Sequence, residues 1–463
     1  MKFFYVYAIM AVCLIFQAFA IDYYPLEIFN TSGPTVANVV WADAWSPKSD
    51  YPGAFIFTSA ANSLLHRDRL IPDSAIYVIP EVASKLFSNA SELSYELVSV
   101  ELPWANELKF IAPGTIGLNV SFPALLGVSG RFPSAPRFRF PSSAGKVFIL
   151  NTSILPALVY IISPPETCEW YYQTFKLIDM NGDGLLDVLS IRLRDDVCFP
   201  LKVAPPYALK AELVVLTQPT NPLSVPWSLT TLYNFDNVTN RAAGGYFEFL
   251  DIDEPVYRRN DHPTAELLTS EFFGAGAFIY SVSLNETWLT PNKTVKRTII
   301  ENGLGGMYTI RVIDVNSDDK SDFVITTHTV LSSNGIYAYD IKGDYRNQTN
   351  LTSVRYQLAG NFTVFGRSVG PSRYRTGPFE IVSQKPGRKP TLVVGTDGGG
   401  QLILLSPKNE NSRSWEYNNE TLAQFGCDFI APIVYDADGD GKNEISAPCF
   451  GRDAIYSFTT IID

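Results

Sequence analysis

The chain has 463 residues, a formal net charge of −11 and 46% hydrophobic residues, enough for a sizeable core. That acidic balance argues against nucleic acid as a partner, because a phosphate backbone demands basic patches.

The first segment reads Lys2, an apolar run from Phe3 to Phe16, then Ala18-Phe19-Ala20. A positive start, an apolar stretch and a small-x-small site are the layout of a secretory signal peptide, here residues 1–20. The run is too short to span a bilayer, which needs about 20 apolar residues. Polar residues or prolines interrupt every later apolar stretch, so no transmembrane segment is expected. The expectation is a secreted, extracellular protein.

Residues 21–463 contain no Ser/Gly linker, charge block or low-complexity segment. Short runs rich in aromatic and β-branched residues alternate with Gly, Pro and Asn, which predicts an all-β chain. Asn-x-Ser/Thr acceptors occur at Asn30, Asn89, Asn119, Asn151, Asn237, Asn285, Asn292, Asn347, Asn350, Asn361 and Asn419. Their density suits a surface exposed to the glycosylation machinery. Without Cys13 of the signal, Cys168, Cys198, Cys427 and Cys449 remain. Four cysteines in a secreted chain suggest disulfides with three possible pairings; proximity favours Cys168–Cys198 and Cys427–Cys449.

A repeat then emerges. DMNGDGLLD at 179–187, DVNSDDKSD at 314–322 and DADGDGKNE at 436–444 each lie between two apolar, strand-like runs. The unit is strand, acidic turn, strand. Midway between them stand two more copies. In one, Asp251 and Asp253 are followed by an insertion and Glu266; the other is FEIVSQKPGRKPTLVVG at 379–395, the same hairpin without the loop acids. Upstream, residues 39–59 and 96–114 read as two degenerate hairpins. Seven hairpins with further strands between them, such as VKRTII, SVRYQL and YSVSL, predict a single β-propeller of seven blades carrying calcium-binding hairpin loops.

Calcium takes six to eight oxygen ligands. Oxygen-bearing side chains at positions 1, 3 and 5, a carbonyl at 7 and an acid at 9 can wrap one ion. The first loop offers Asp179, Asn181, Asp183, the Leu185 carbonyl and Asp187. The second offers Asp314, Asn316, Asp318, the Lys320 carbonyl and Asp322. The third offers Asp436, Asp438, Asp440, the Lys442 carbonyl and Glu444. A fourth site near Asp251, Asp253 and Glu266 is also a candidate. Gly184 and Gly441 sit at the sharp turn, where the second loop has Asp319 instead. An EF-hand would need a Glu at position 12, where this chain has Ser190, Ile325 and Ala447.

These loops with their flanking strands resemble the FG-GAP/VCBS repeat family, the calcium-loop propellers that include integrin alpha chain heads. Through the degenerate copies the resemblance covers most of the mature chain. It implies a propeller fold and structural Ca²⁺ ions, about three, that brace the hairpins. The motif is specific for fold and metal but carries little information about activity. Integrin-like signalling is not implied, since no transmembrane helix and no leg domains are expected.

No catalytic set stands out. His66, His262 and His328 show no zinc spacing, and TDGGG at 396–400 lies between strand-like runs, as a hairpin turn would. Trp41, Trp45, Trp104, Trp170, Trp227, Trp288 and Trp415 are expected to pack between blades rather than stack on sugars. Trp170 with Tyr171 and Tyr172 is the densest aromatic group. Three functions compete: a lectin-like or adhesive module for an extracellular glycan or protein ligand, a lyase- or dehydratase-type carbohydrate enzyme, and a purely structural protein. The first is expected, as a monomer.

Overall fold

The computed structural model describes residues 26–30, 35–44, 52–60, 74–82, 96–99, 102, 105–130, 145–165, 170–195, 209–235, 246–252, 264–271, 276–328, 334–344, 349–360, 375–397, 400–424, 428–429, 431–437, 440–450 and 454–458. Outside them lie the expected signal peptide, His66, Trp45, Trp104, Cys168, Cys198, Asp253, His262, Cys427 and Asp438.

The described strands form seven antiparallel sheets that follow one another along the chain. Blades 1 to 6 are four-stranded and occupy residues 35–99, 105–161, 170–234, 247–301, 307–360 and 375–424. Within each, spatial order equals chain order. The seventh blade joins the two ends of the chain. Its strand Glu444–Phe450 pairs with both Asp428–Phe429 and Ile433–Tyr435 on one side and with Ala454–Phe458 on the other. The outer edge is Leu26–Asn30, with Leu26 opposite Ser457 and Asn30 opposite Ala454.

The sequence explains which strands sit where. Second and third strands such as Ala124–Ser129, Ala277–Val282 and Asp322–Thr327 are buried at every position. They are short runs with apolar centres (LLGV, FIY and FVI), as a strand covered on both faces requires. Fourth strands such as Ser228–Asn234 and Val295–Glu301 are exposed or half-buried at all but one position each and form the outer rim.

The core is divided among the blade-to-blade interfaces. One cluster packs Leu126, Val128 and Ile149 of blade 2 against Tyr172, Phe175 and Val188 of blade 3. Others join blades 3 and 4 through Leu213, Phe235, Tyr280 and Trp288, and blades 4 and 5 through Leu268, Ile279, Ile310 and Phe323. The ring closes where Phe55 and Phe57 of blade 1 meet Tyr435 and Ile455 of blade 7. Phe55 and Tyr435 rings touch edge-on with centroids 5.3 Å apart, a preferred aromatic geometry.

This architecture agrees with the expected all-β, seven-bladed propeller. One hairpin was misplaced by the sequence reading. Residues 96–114 are not a hairpin: Glu96–Ser99 is the outer strand of blade 1, and Ala105–Ile111 is the inner strand of blade 2. The true hairpin of blade 2 pairs Ala105–Ile111 with Ala124–Ser129. Two strand-like segments, ELVS and ANELKFI, follow each other closely in sequence, so strands of different blades imitate a hairpin. The glycine-rich stretch at 396–400 behaves as expected, lying between strands that pair Gly395 with Leu402.

Because each blade is a meander, first-to-second and third-to-fourth connections emerge on one face of the ring. Second-to-third connections and the links between blades emerge on the other. Among the described residues, no helix is long and apolar enough to cross a membrane. Cys449 is fully buried and disulfide-bonded, and its strand neighbour across the ladder is Phe429.

Candidate metal loops and an axial charge cluster

The three acidic loops occupy equivalent places, joining the inner strand to the second strand in blades 3, 5 and 7. In the blade-3 loop, Asp179 accepts hydrogen bonds from the N–H groups of Gly182 (2.8 Å), Asp183 (3.1 Å) and Gly184 (2.8 Å). Asn181 accepts from the Asp183 N–H at 3.0 Å, and Asp183 from the Leu185 N–H at 2.8 Å. The blade-5 loop reproduces this pattern. Asp314 accepts from Asp318 (3.1 Å) and Asp319 (2.9 Å), Asn316 from Asp318 (2.9 Å), and Asp318 from Lys320 (3.1 Å). In blade 7, Asp436 accepts from Gly441 at 2.9 Å and Asp440 from Lys442 at 2.8 Å.

A further bond closes each loop. The acid at position 9 accepts from the N–H at position 2: Asp187 from Met180 (3.2 Å), Asp322 from Val315 (3.0 Å) and Glu444 from Ala437 (2.6 Å). Glu266 accepts from Ile252 at 3.1 Å in the same way, so blade 4 keeps this frame across its insertion. The turn itself demands left-handed backbone. Gly182 and Gly184 have φ of 76° and 83°, and Gly441 has 84°. Blade 5 places Ser317 (φ 58°) and Asp319 (φ 65°) in the corresponding conformations. The positive φ strains Asp319, and Ser317 shares that strain.

These loops concentrate carboxylates. Burial pushes the Asp187 carboxyl up to about 6, with the charges of Asp183 and Asp179 adding to it. Asp322 is pushed up to about 8 by burial, reinforced by Asp314, Asp318 and Asp340. Burial also raises Asp314. Among the described residues, no three His, Cys, Asp or Glu side chains converge closely enough to hold an ion. Their oxygens are turned toward loop N–H groups instead. The donor chemistry, oxygen only and rich in carboxylate, is that of a hard cation.

A second cluster lies on the axis and was missed by the sequence reading. Lys109, Lys176, Glu248, Arg311 and Glu380 stand on the inner strands of blades 2 to 6. Each faces an apolar partner at the equivalent register, namely Leu126, Leu189, Leu268, Val324 and Val393. Blade 7 has Ile433 at this place. The signal was a charged residue inside an apolar run, three positions before the loop: FKLID, FEFLD, IRVID.

The charges are chained across blades. Lys176 Nζ lies 2.9 Å from Glu248, Arg311 lies 3.9 Å from the other Glu248 oxygen, and Arg311 also pairs with Glu380. Lys109 Nζ is 3.6 Å from Glu107 and donates to the Phe175 carbonyl at 3.1 Å. Glu107 in turn accepts from the Thr174 hydroxyl (2.5 Å) and the Phe175 N–H (2.9 Å). Although inner strands surround them, Lys109, Lys176, Arg311 and Glu380 keep 36%, 32%, 32% and 33% of their side-chain surface open. Deep side chains with such exposure line a water-accessible channel.

The aromatic expectations divide. Trp227 and Trp288 are buried, their ring N–H groups donating to the Pro222 and Ala265 carbonyls at 2.9 and 2.8 Å. Trp170, Tyr171 and Tyr172 are buried too, so this group does not form an exposed platform. Trp415 is half-buried and stacks on Tyr356 with ring centroids 4.1 Å apart. His328 is buried against the Tyr308 ring.

Sheets and loops together define a seven-bladed β-propeller with acidic hairpins on one face. No family model matches the chain, and no curated protein matches it either. Among solved structures it is similar to the rhamnogalacturonan lyase PL11 of Bacillus licheniformis, at 9% identity and a TM-score of 0.45, covering 95% of this chain and 75% of that one. The fold assignment rests on the seven sheets and their closure, not on that likeness.

Proposed function

We propose that this protein is a secreted binding propeller of the FG-GAP/VCBS type, whose calcium-braced hairpins hold a rigid surface for an extracellular glycan or protein. The observation that carries this reading is the closing bond from position 2 to the acid at position 9. It recurs in blades 3, 5 and 7 around loops rich in oxygen donors. Asp179, Asn181, Asp183 and Asp187, with their counterparts in the other two loops, would hold one Ca²⁺ each. The ion would neutralise the carboxylates and lock the hairpin, a structural role.

The same reading includes cleavage after Ala20, disulfides Cys168–Cys198 and Cys427–Cys449, and a glycosylated monomer. Asn119, Asn285 and Asn292 are exposed in loops on the face that carries the acidic turns. A glycan array probed with the secreted protein, with calcium and again with chelator, tests the proposal. Specific binding that is lost with the metal supports a lectin-like module. Conversion of a polysaccharide into new products would replace it with the enzyme reading.

A further inference from the structure

The first connection of blade 6 breaks the pattern of its neighbours. Where blades 5 and 7 carry acidic loops, blade 6 has Gln384-Lys385-Pro386-Gly387-Arg388-Lys389-Pro390. Pro386 presets the second position of a turn, and Gly387 takes the third at φ 67°, as a type II turn requires. The Arg388 N–H closes that turn on the Lys385 carbonyl at 2.9 Å. A β-turn holds its first and fourth α-carbons within about 7 Å, so Lys385 and Arg388 stand side by side.

The third-to-fourth connection of the same blade, residues 408–416, lies against this turn. Arg388 donates to the Asn411 side chain, and the buried Lys389 ammonium donates to the Ser414 hydroxyl at 3.0 Å. The second loop adds Lys408 and Arg413, so the two loops bring five cations together with two carboxylates, Glu410 and Glu416. Those carboxylates stand 4.0 Å from Arg388 and 3.9 Å from Lys408, in exposed pairs that contribute little. Among the described residues, Lys385 and Arg413 face no carboxylate, and both are exposed. Toward blade 5, Trp415 lies parallel to Tyr356, both half-buried, with ring centroids 4.1 Å apart.

We propose that these two loops of blade 6 are the contact surface for an anionic polysaccharide. Sulfate or carboxylate groups along the sugar chain accept from Lys385, Arg388 and Arg413. The sugar rings rest against the Trp415–Tyr356 pair, whose rings join an apolar body to a polar edge. A protein of net charge −11 repels such a polymer over most of its surface, so one basic patch also sets the docking orientation. This inference rests on the glycan-binding reading and narrows its ligand to one class. It does not depend on calcium in the acidic loops.

Surface plasmon resonance of the intact secreted protein over immobilised heparin, hyaluronate, dextran and poly-glutamate, in calcium and again in chelator, tests the proposal. Heparin or hyaluronate should bind saturably and more weakly as salt rises, and dextran should not bind. The preferred polymer tells sulfate from carboxylate. Lys385→Gln/Arg413→Gln should weaken binding by about tenfold or more, the loss of two charge-assisted contacts. Lys293→Gln/Lys296→Gln in blade 4 makes the same change in net charge and should leave binding nearly unaltered. Equal losses in the two double variants would mean a net-charge effect, and poly-glutamate binding as tightly as the polysaccharides would mean a peptide surface; either overturns the proposal. Wild-type protein that binds neither heparin nor hyaluronate overturns it without help from any variant. A neutral glycan captured on the array would then still uphold the binding function, so the two failures are distinguishable.

Discussion

Lys176 and Glu248 meet at 2.9 Å across the gap between the inner strands of blades 3 and 4. Glu248 also faces Arg311 of blade 5, so one carboxylate ties three blades together. Removing it takes away the carboxylate that Lys176 faces, while Arg311 keeps Glu380, whereas removing Lys176 together with Glu248 leaves no such cation. Glu248→Ala is expected to cost about 2 kcal/mol, less than a fully dry ion pair would because the channel is wet. The double variant Lys176→Met/Glu248→Leu should recover part of that loss. Urea unfolding of the three proteins measures the difference. Equal stability of Glu248→Ala and wild type would remove the chain's structural role.

Chelation provides a second measurement. An ion bound only by the folded state contributes about 2.7 kcal/mol per site at a hundredfold excess over its dissociation constant. The melting temperature should therefore fall in chelator and return with added calcium. Asp183→Ala and Asp440→Ala should each remove part of the calcium-dependent increment. A melting temperature indifferent to chelator would end the calcium assignment.

Asp319 holds a left-handed conformation that Gly184 and Gly441 adopt in the other two loops. Its N–H still donates to Asp314, a bond glycine would keep. Asp319→Gly should therefore stabilise the blade-5 loop by about 0.5–1 kcal/mol, and Gly184→Ala should destabilise blade 3 by a similar amount. Thermal denaturation in calcium reads both. Opposite signs at the two positions are the expected result, and matching signs would contradict it.

Glu301 gives a pH dependence. Burial pushes its carboxyl up, but the N–H groups of Gly303 and Asn302, the Tyr339 hydroxyl and the Arg355 guanidinium outweigh that and hold it below 4.5. A depressed folded value means stability present above pH 4.5 and lost as pH falls through the folded value. Glu301→Gln should be less stable than wild type at neutral pH, and the gap should narrow below pH 4.5. Unfolding free energies from pH 7 to 3 provide the test; a gap constant with pH would point to packing alone.

How much of this could be read in advance depended on local pattern. The loops at 179, 314 and 436 were legible because their chemistry is local, carried by side chains two residues apart. The buried second strands were legible as short apolar runs. Blade 2 was not, because its hairpin loop at 112–123 carries no acid and the apolar segment at 96–114 imitated the unit. The axial charges were visible as Lys176, Glu248 and Arg311 inside apolar runs. Their meaning needed the ring, which brings together residues some 70 positions apart, such as Lys176 and Glu248. The edge strand Leu26–Asn30 shows no repeat pattern, since its pairing partner Ala454–Phe458 lies at the far end of the chain.

That last pairing has a consequence for biogenesis. Leu26–Asn30 finds its partner only when Ala454–Phe458 has been made, and six sheets can form before the seventh has all its strands. Contacts this distant in sequence are entropically the slowest to form. Until then Leu26–Asn30 is an unpaired edge, open to the wrong chain. Closure of the ring is thus a late checkpoint: an intact circle reports that synthesis has passed Ala454–Phe458.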